Sequence, residues 1–236
     1  LAQRATDEAR RLQADATVAI GGGSTIGLAK AVALELGLPI LAVPTTYAGS
    51  EVSPIWGLTD DGVKRTGRDP RVLPRTVIYD PELTLTLPPG LTVTSALNAM
   101  AHAAEALYAH DGNPVAALMA EEGIRACASA LAPLGTRPTD PDARTQLLYG
   151  AWLCGTMLGA VSMGLHHKLC HTLGGSFGLP HADVHTVLLP HALAYNAPLA
   201  PEALARIARA LAADDAPRAL QQLAAQHGAP TSLRTL

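Results

Sequence analysis

Thr17-Val-Ala-Ile-Gly-Gly-Gly-Ser24 is a short apolar run that breaks into three glycines and a serine and then into helical sequence, Thr25 to Leu36. Pro39-Ile-Leu-Ala-Val43 follows as a second apolar run, and Gln3 to Gln13 reads as a charged helix in front. Strands alternating with helices at this spacing predict parallel βαβ units with helices packed on the sheet. Ile55-Trp-Gly-Leu-Thr59, the turn Asp60-Asp-Gly62, Lys64-Arg-Thr66 and Thr76-Val-Ile-Tyr79 read as further short strands and a hairpin. Residues 1–87 are therefore α/β in pattern.

The glycine turn places bare backbone amides at a helix N-terminus. Glycines let the backbone come close to a ligand, and the helix dipole and unpaired N–H groups favour an anion, so phosphate is the natural guest, with the Ser24 hydroxyl as an added donor. The pattern is neither GxGxxG nor a P-loop, since Lys30 comes too late. A plain tight turn between strand and helix is the alternative. Pro44-Thr-Thr-Tyr-Ala-Gly-Ser-Glu51 leaves the end of the next strand. In an open α/β sheet, ligands bind beyond the carboxyl ends of strands, so both polar loops fall on the expected edge. Turn and capping hydrogen bonds are the simpler explanation of Thr45, Thr46 and Ser50.

After Pro88-Pro-Gly90 the alternation stops, and residues 88–236 read as Ala- and Leu-rich helices: Thr92 to Ala109, Pro114 to Leu131, Ala143 to Met163, His167 to Phe177, Ala182 to Tyr195, Pro201 to Ala212 and Pro217 to His227. Six of the nine histidines fall between Gly164 and His191. Imidazole changes charge near neutral pH and is the commonest metal ligand, so such a density on apolar helices points to chemistry there; chance clustering is the bland account. His167 and His171 share a helix face, as do Asn98 and His102, while His181 starts another helix after Pro180. Four imidazoles can thus converge on one cavity. His110, His185, His191 and His227 read as structure or surface.

At 236 residues and 48% hydrophobic, the chain suffices for one large or two smaller cores. A net charge of −3 and few aromatics give no footprint for nucleic acid. Cys127, Cys154 and Cys170 form no CxxC pair and suit reduced thiols in a cytoplasmic protein. The longest uncharged stretch, Ala151 to Leu165, is too short for a bilayer and reads as a buried helix, so no membrane is expected. Leu1 is not an initiator methionine and the last residues stop just after a turn, which suggests missing sequence at both ends.

Taken together, Gly-Gly-Gly-Ser after a strand, Pro-Thr-Thr with Gly-Ser-Glu, Asn98-x3-His102, and His167-x3-His171 followed by His181 resemble the iron-containing alcohol dehydrogenase superfamily. The finer text, Tyr47-Ala-Gly-Ser-Glu51, Arg68-Asp-Pro-Arg-Val-Leu-Pro74, His166-His-Lys-Leu-Cys-His-Thr-Leu-Gly-Gly175 and Leu189-Pro-His-Ala-Leu-Ala-Tyr-Asn196, looks like its maleylacetate reductase branch.

The resemblance implies a partial Rossmann-like dinucleotide-binding domain over 1–87, an α-helical domain over 88–236, NADH or NADPH in the cleft between them, and a homodimer. It implies NAD(P)H-dependent reduction of the C=C bond of maleylacetate, a small dianionic keto acid, to 3-oxoadipate. Gly22, Gly23 and Ser24 would hold the pyrophosphate, Thr45, Thr46 and Ser50 would line the nucleotide path, and Lys64 would lie near the nicotinamide ribose. Asn98, His102, His167 and His181 occupy the positions that bind the divalent metal, iron or zinc, in metal-dependent relatives, with His171 beside the reacting carbon. Those relatives carry an aspartate where this chain has Asn98, and loss of the anionic ligand weakens such a site. Gly27 is a second departure, where many relatives have an acidic residue. Lys168, and Arg65 or Lys64 from the other lobe, are candidates for the substrate carboxylates by charge complementarity, with solvated surface charge as the alternative. Rival readings are a metal-dependent alcohol or aldehyde dehydrogenase on the same fold, a glycerol dehydrogenase or dehydroquinate synthase type of use, and a nucleotide-binding homologue without turnover.

Overall fold

The computed structural model describes residues 1–60 and 63–236, and side chains outside 59–64. The N-terminal portion runs α1 (Ala2–Arg11), β1 (Thr17–Gly21), α2 (Gly23–Leu36) and β2 (Ile40–Pro44), then the hairpin strands β3 (Ile55–Asp60) and β4 (Val63–Arg68), and β5 (Thr76–Val77). β1, β2 and β5 form a parallel sheet with β2 in the centre, while β3 and β4 pair antiparallel as a separate ribbon. The expected turn at residues 61 and 62 lies outside the described residues. The right-hand crossover helix of a βαβ unit has to bury one face on the sheet. In α2 that face is Ile26, Ala29 and Ala33, packed on Ala19 and Ile40, and Gly37 ends the helix at φ +69°. Register pairs Gly21 with Pro44, so the glycine turn and the threonine turn leave the sheet side by side.

The remaining helices are α3 (Pro89–Ala106), α4 (Pro114–Leu134), α5 (Pro141–Ala160), α6 (Leu165–Phe177), α7 (His181–Asn196), α8 (Pro201–Ala210) and α9 (Ala216–Gln226). All seven expected helices form. α3 is buried from Thr92 to Ala106, which explains its lack of a charged face: it is the central helix of the bundle. Small residues let α4 and α5 approach closely, since a Cβ on Gly123 would stand 2.7 Å from Cys154 Sγ and one on Gly150 2.6 Å from Cys127 Sγ. Sequence periodicity carried α5 on to Met163, yet it stops at Ala160 and the chain bends by 92° into α6. Asp111 holds this bend by accepting from the backbone N–H and hydroxyl of Ser162. No single helix among the described residues is long and apolar enough to cross a membrane.

Three contacts fix the loop after β2 to the helices. Lys30 is buried in α2, and its ammonium donates to the carbonyls of Ser50, Ser53 and Ile55 at 2.7, 2.8 and 2.6 Å. Arg144, buried in α5, donates to the Tyr47 hydroxyl at 3.0 Å and to Thr92 Oγ1 at 2.9 Å. Gly49, at φ +79°, lies so close to α5 that a Cβ on Gly155 would meet Gly49 Cα at 2.5 Å. Backbone cannot yield as a flexible side chain can. Gly155→Ala is therefore expected to destabilise by about 2 kcal/mol through overpacking, or roughly 4–8 °C of melting temperature at this size. A melt within 1 °C of the parent would show that the loop is free to move.

Candidate active site

A cavity of about 580 Å³ lies where the loops beyond β1 and β2 face α3, α6 and α7. One wall is the N-terminus of α2. Gly22 is its cap and supplies no side-chain cap hydrogen bond, and Gly22, Gly23, Ser24 and Gly27 all line the cavity. A Cβ on Gly22 would stand 2.9 Å from Thr46 Cγ2, so only glycine lets the two turns meet. Thr46 and Ser50 complete this wall. Thr45 is not among the lining residues; its backbone N–H donates to Gly21 O at 3.1 Å, extending the strand pairing. Lys64 falls on a side chain outside the described residues.

The opposite wall is helical. Leu91, Thr94, Ser95, Asn98 and His102 recur at steps of three or four along α3, which puts them on one face towards the cavity. His167 and His171 from α6 and His181 from α7 join them. Ring centroids stand 5.0 Å apart for His102 and His167, 6.2 Å for His167 and His171, and 6.1 Å for His171 and His181. The imidazoles gather on one cavity, and chance clustering is overturned.

Of the two readings of His185, structure or surface, it is the buried one, with its ring 4.2 Å from His181, 4.8 Å from His166 and 5.0 Å from His167. His110 and His191 are exposed, as expected. His166 lies behind the cavity, its Nε2 3.1 Å from the carbonyl of His185.

Glu105 is the residue that sequence reasoning missed. One turn beyond His102 on α3, it is buried, and its carboxylate accepts from His167 Nδ1 at 2.6 Å, from the backbone N–H of Gly164 at 2.8 Å and from that of His166 at 2.8 Å. Its spacing of three from His102 was the available clue. A carboxylate on Nδ1 fixes the proton there and turns Nε2 towards the other rings as an acceptor.

Burial disfavours charge on these rings. It lowers His102 and His185 well below the usual 6.5, with neighbouring imidazoles adding to the effect. His166 falls to about 4 by burial and the proximity of His167, and His167 to about 3 by burial and then His171 and His181. Burial thus favours the neutral form of His102, His166, His167 and His185.

The four positions expected as metal ligands, Asn98, His102, His167 and His181, offer amide and imidazole donors and no carboxylate. Asn98 Oδ1, His102 Nδ1 and His167 Nε2 are buried without a partner. Glu105, the carboxylate in contact with the cluster, is turned to the rear and occupied by three N–H groups. His166, His167 and His185 form the tightest trio, with ligand atoms within 4.8 Å, but it too lacks an anion. This set does not fit a ferrous or similar ion that relies on a carboxylate for charge balance. The dinucleotide side, by contrast, fits a pyrophosphate: a glycine cradle at an uncapped helix N-terminus.

Lys168 stands off the main cavity. With Arg68 it lines a second cavity of about 340 Å³ that adjoins the first through His167 and His171. Arg65 lines neither cavity and is exposed.

Residues 1–81 match the sequence profile of the iron-containing alcohol dehydrogenases, and residues 92–236 that of the C-terminal part of the Fe-containing alcohol dehydrogenase family. The chain is 70% identical over all 236 residues to a maleylacetate reductase of Burkholderia cepacia, covering 67% of that protein. It is 62% identical over 228 residues to one of Sphingobium indicum, covering 97% of this chain and 65% of the relative. Crystal structures of maleylacetate reductases from Rhizobium sp. and Agrobacterium tumefaciens superpose with TM-scores of 0.95 each, at 57% and 56% identity, over 100% of this chain and 67% of each relative. The chain thus spans about two thirds of the length of these relatives. By profile, sequence and fold, it belongs to the iron-containing alcohol dehydrogenase family, in the maleylacetate reductase branch.

Proposed function

We propose that this chain carries the cleft of an oxidoreductase that reduces the C=C bond of maleylacetate to 3-oxoadipate, with residues 1–87 as the dinucleotide-binding wall and 88–236 as the substrate wall. The observation that carries this reading is a cluster of imidazoles facing a cavity whose described lining holds no carboxylate, Glu105 being turned to the rear, and opening onto a glycine cradle. When bound, a nicotinamide cofactor, NADH or NADPH, would supply the hydride for the alkene carbon conjugated to the ketone. Gly22, Gly23, Ser24, Thr46 and Ser50 hold its phosphates and ribose. Negative charge then passes to the ketone oxygen, where His102 and His181 donate hydrogen bonds, and the carbon next to the ketone takes a proton from His171. His167, pinned by Glu105, orients the ring stack. The half-buried Leu158 in the wall limits water at the developing charge. Three buried free cysteines favour a reducing, cytoplasmic setting, and family membership favours a homodimer.

Replacing His102 or His171 by alanine is expected to lower turnover at least tenfold with cofactor affinity little altered, since both rings belong to the helical wall and neither to the glycine turn. NADH oxidation at saturating maleylacetate, with cofactor binding measured by fluorescence, tests both parts; normal turnover in either variant removes the proton donor or the oxyanion donor from the scheme. Chelator treatment is expected to leave activity within about twofold of the untreated enzyme, because the donor set is neutral. Full loss, restored by Fe²⁺ or Zn²⁺, would establish Asn98 as a working ligand and favour the metal-dependent reading.

A further inference from the structure

The substrate assigned above is a dianion, and the one lysine lining the main cavity, Lys30, is spent on the carbonyls of Ser50, Ser53 and Ile55. Further positive charge lies next door. The second cavity, of about 340 Å³, shares Ile55, Thr66, Leu158, His167 and His171 with the first and adds Arg68 and Lys168. No Asp or Glu lines it among the described residues. Arg68 ends β4, and its guanidinium donates to the carbonyl of Gly159 near the C-terminus of α5, which holds the side chain across the cavity mouth. Lys168 sits in the first turn of α6, one residue beyond His167. Glu105 and Asp111 are engaged with backbone N–H groups of Gly164, His166 and Ser162, and Asp69, beside Arg68 in the chain, pairs with Arg71 at 2.7 Å.

We infer that Arg68 and Lys168 form the subsite for one carboxylate of a dicarboxylate substrate, the carboxymethyl group on the ketone side. The inference rests on the reductase reading above and deepens it. Geometry selects that carboxylate. The other one is borne on the alkene carbon that receives hydride, so it stays in the main cavity beside the nicotinamide path. The carboxylate of the carboxymethyl group is separated from the reacting carbons by the ketone and a methylene and projects past His167 and His171, where the second cavity begins. A guanidinium offers two parallel N–H donors to a carboxylate and an ammonium a point charge, so the pair suits an anionic group better than a neutral one.

The test compares maleylacetate with cis-4-oxopent-2-enoate, the same enone in which a methyl group replaces the carboxymethyl group, using NADH with the parent enzyme, Arg68→Met and Lys168→Met. The parent is expected to favour maleylacetate, and each variant to lower that ratio of kcat/KM by about 10- to 100-fold, chiefly through KM for maleylacetate. Both side chains are at the surface, and thermal melts check that the variants remain folded. Equal losses on both substrates, or an unchanged ratio, overturn the subsite. Failure of the parent enzyme to reduce either enone would instead bring down the reductase reading on which the subsite stands.

Discussion

Glu105→Gln is expected to lower turnover on the order of 100-fold or more, the range associated with loss of a positioned acid or base. The carboxylate accepts three N–H groups at 2.6–2.8 Å, from Gly164, His166 and the His167 ring. A primary amide has one acceptor oxygen, and its NH2 would face a donor. One buried N–H then loses its partner, at a cost of about 1–3 kcal/mol. Loss of stability alone would not slow a folded enzyme. The functional consequence follows from His167: without the anion on Nδ1, its proton and orientation are no longer fixed, and the stacked His102 ring 5.0 Å away loses its neighbour's register. The readouts are kcat with maleylacetate, the melting temperature, and the ¹⁵N shifts of the His167 ring, with Glu105→Asp expected to restore part of kcat. A kcat within threefold of the parent beside a lowered melt would reduce Glu105 to a structural role.

Acid is expected to unfold this protein earlier than its net charge implies. In the fold, His102 and His185 titrate well below 6.5, His166 near 4 and His167 near 3, because burial opposes their charged forms. In the unfolded chain each titrates near 6.5. Between these limits the unfolded state binds more protons, so the stability present above pH 6.5 is lost as pH falls. Each histidine contributes roughly 1 kcal/mol per pH unit in that window. Together the four reach several kcal/mol by about pH 5, comparable with the ~5–15 kcal/mol of a whole domain. Glu51 and Asp183 work the other way: burial raises their pKa values, so their protonation on acidification favours the fold, but they are two groups against four. Denaturant titrations at pH 7, 6 and 5 are expected to show a steep fall, shallower in His185→Gln. A flat profile would mean that the buried rings do accept protons in the fold.

Both expectations depend on residues whose importance shows only in three dimensions. His167, His171 and His181 were legible because helical periodicity links the first two and Pro180 places the third at a helix start. Asn98 and His102 were legible for the same reason. Glu105 and His185 were not, although Glu105 shares an α3 turn with His102 and His185 follows His181 by four. Their functions come from contacts across helices, His167 with Glu105 and His166 with His185, and no local period encodes which helix faces which. Arg68 and Arg65 are alike in sequence terms; the hairpin register and the end of α5 at Ala160 put Arg68, and not Arg65, at a cavity.

Local sequence determined the strand-turn-helix units, the seven helices after Pro88 and the phosphate-type turn at Gly21 to Ser24, because apolar period, glycine freedom and proline stops act over a few residues. The tertiary structure decided the 92° bend between α5 and α6, the burial that keeps the imidazoles neutral, and the pairing of a carboxylate with one of them. Those depend on close packing at Gly155, Gly123 and Gly150 and on desolvation, which are properties of assembled helices and absent from any one of them.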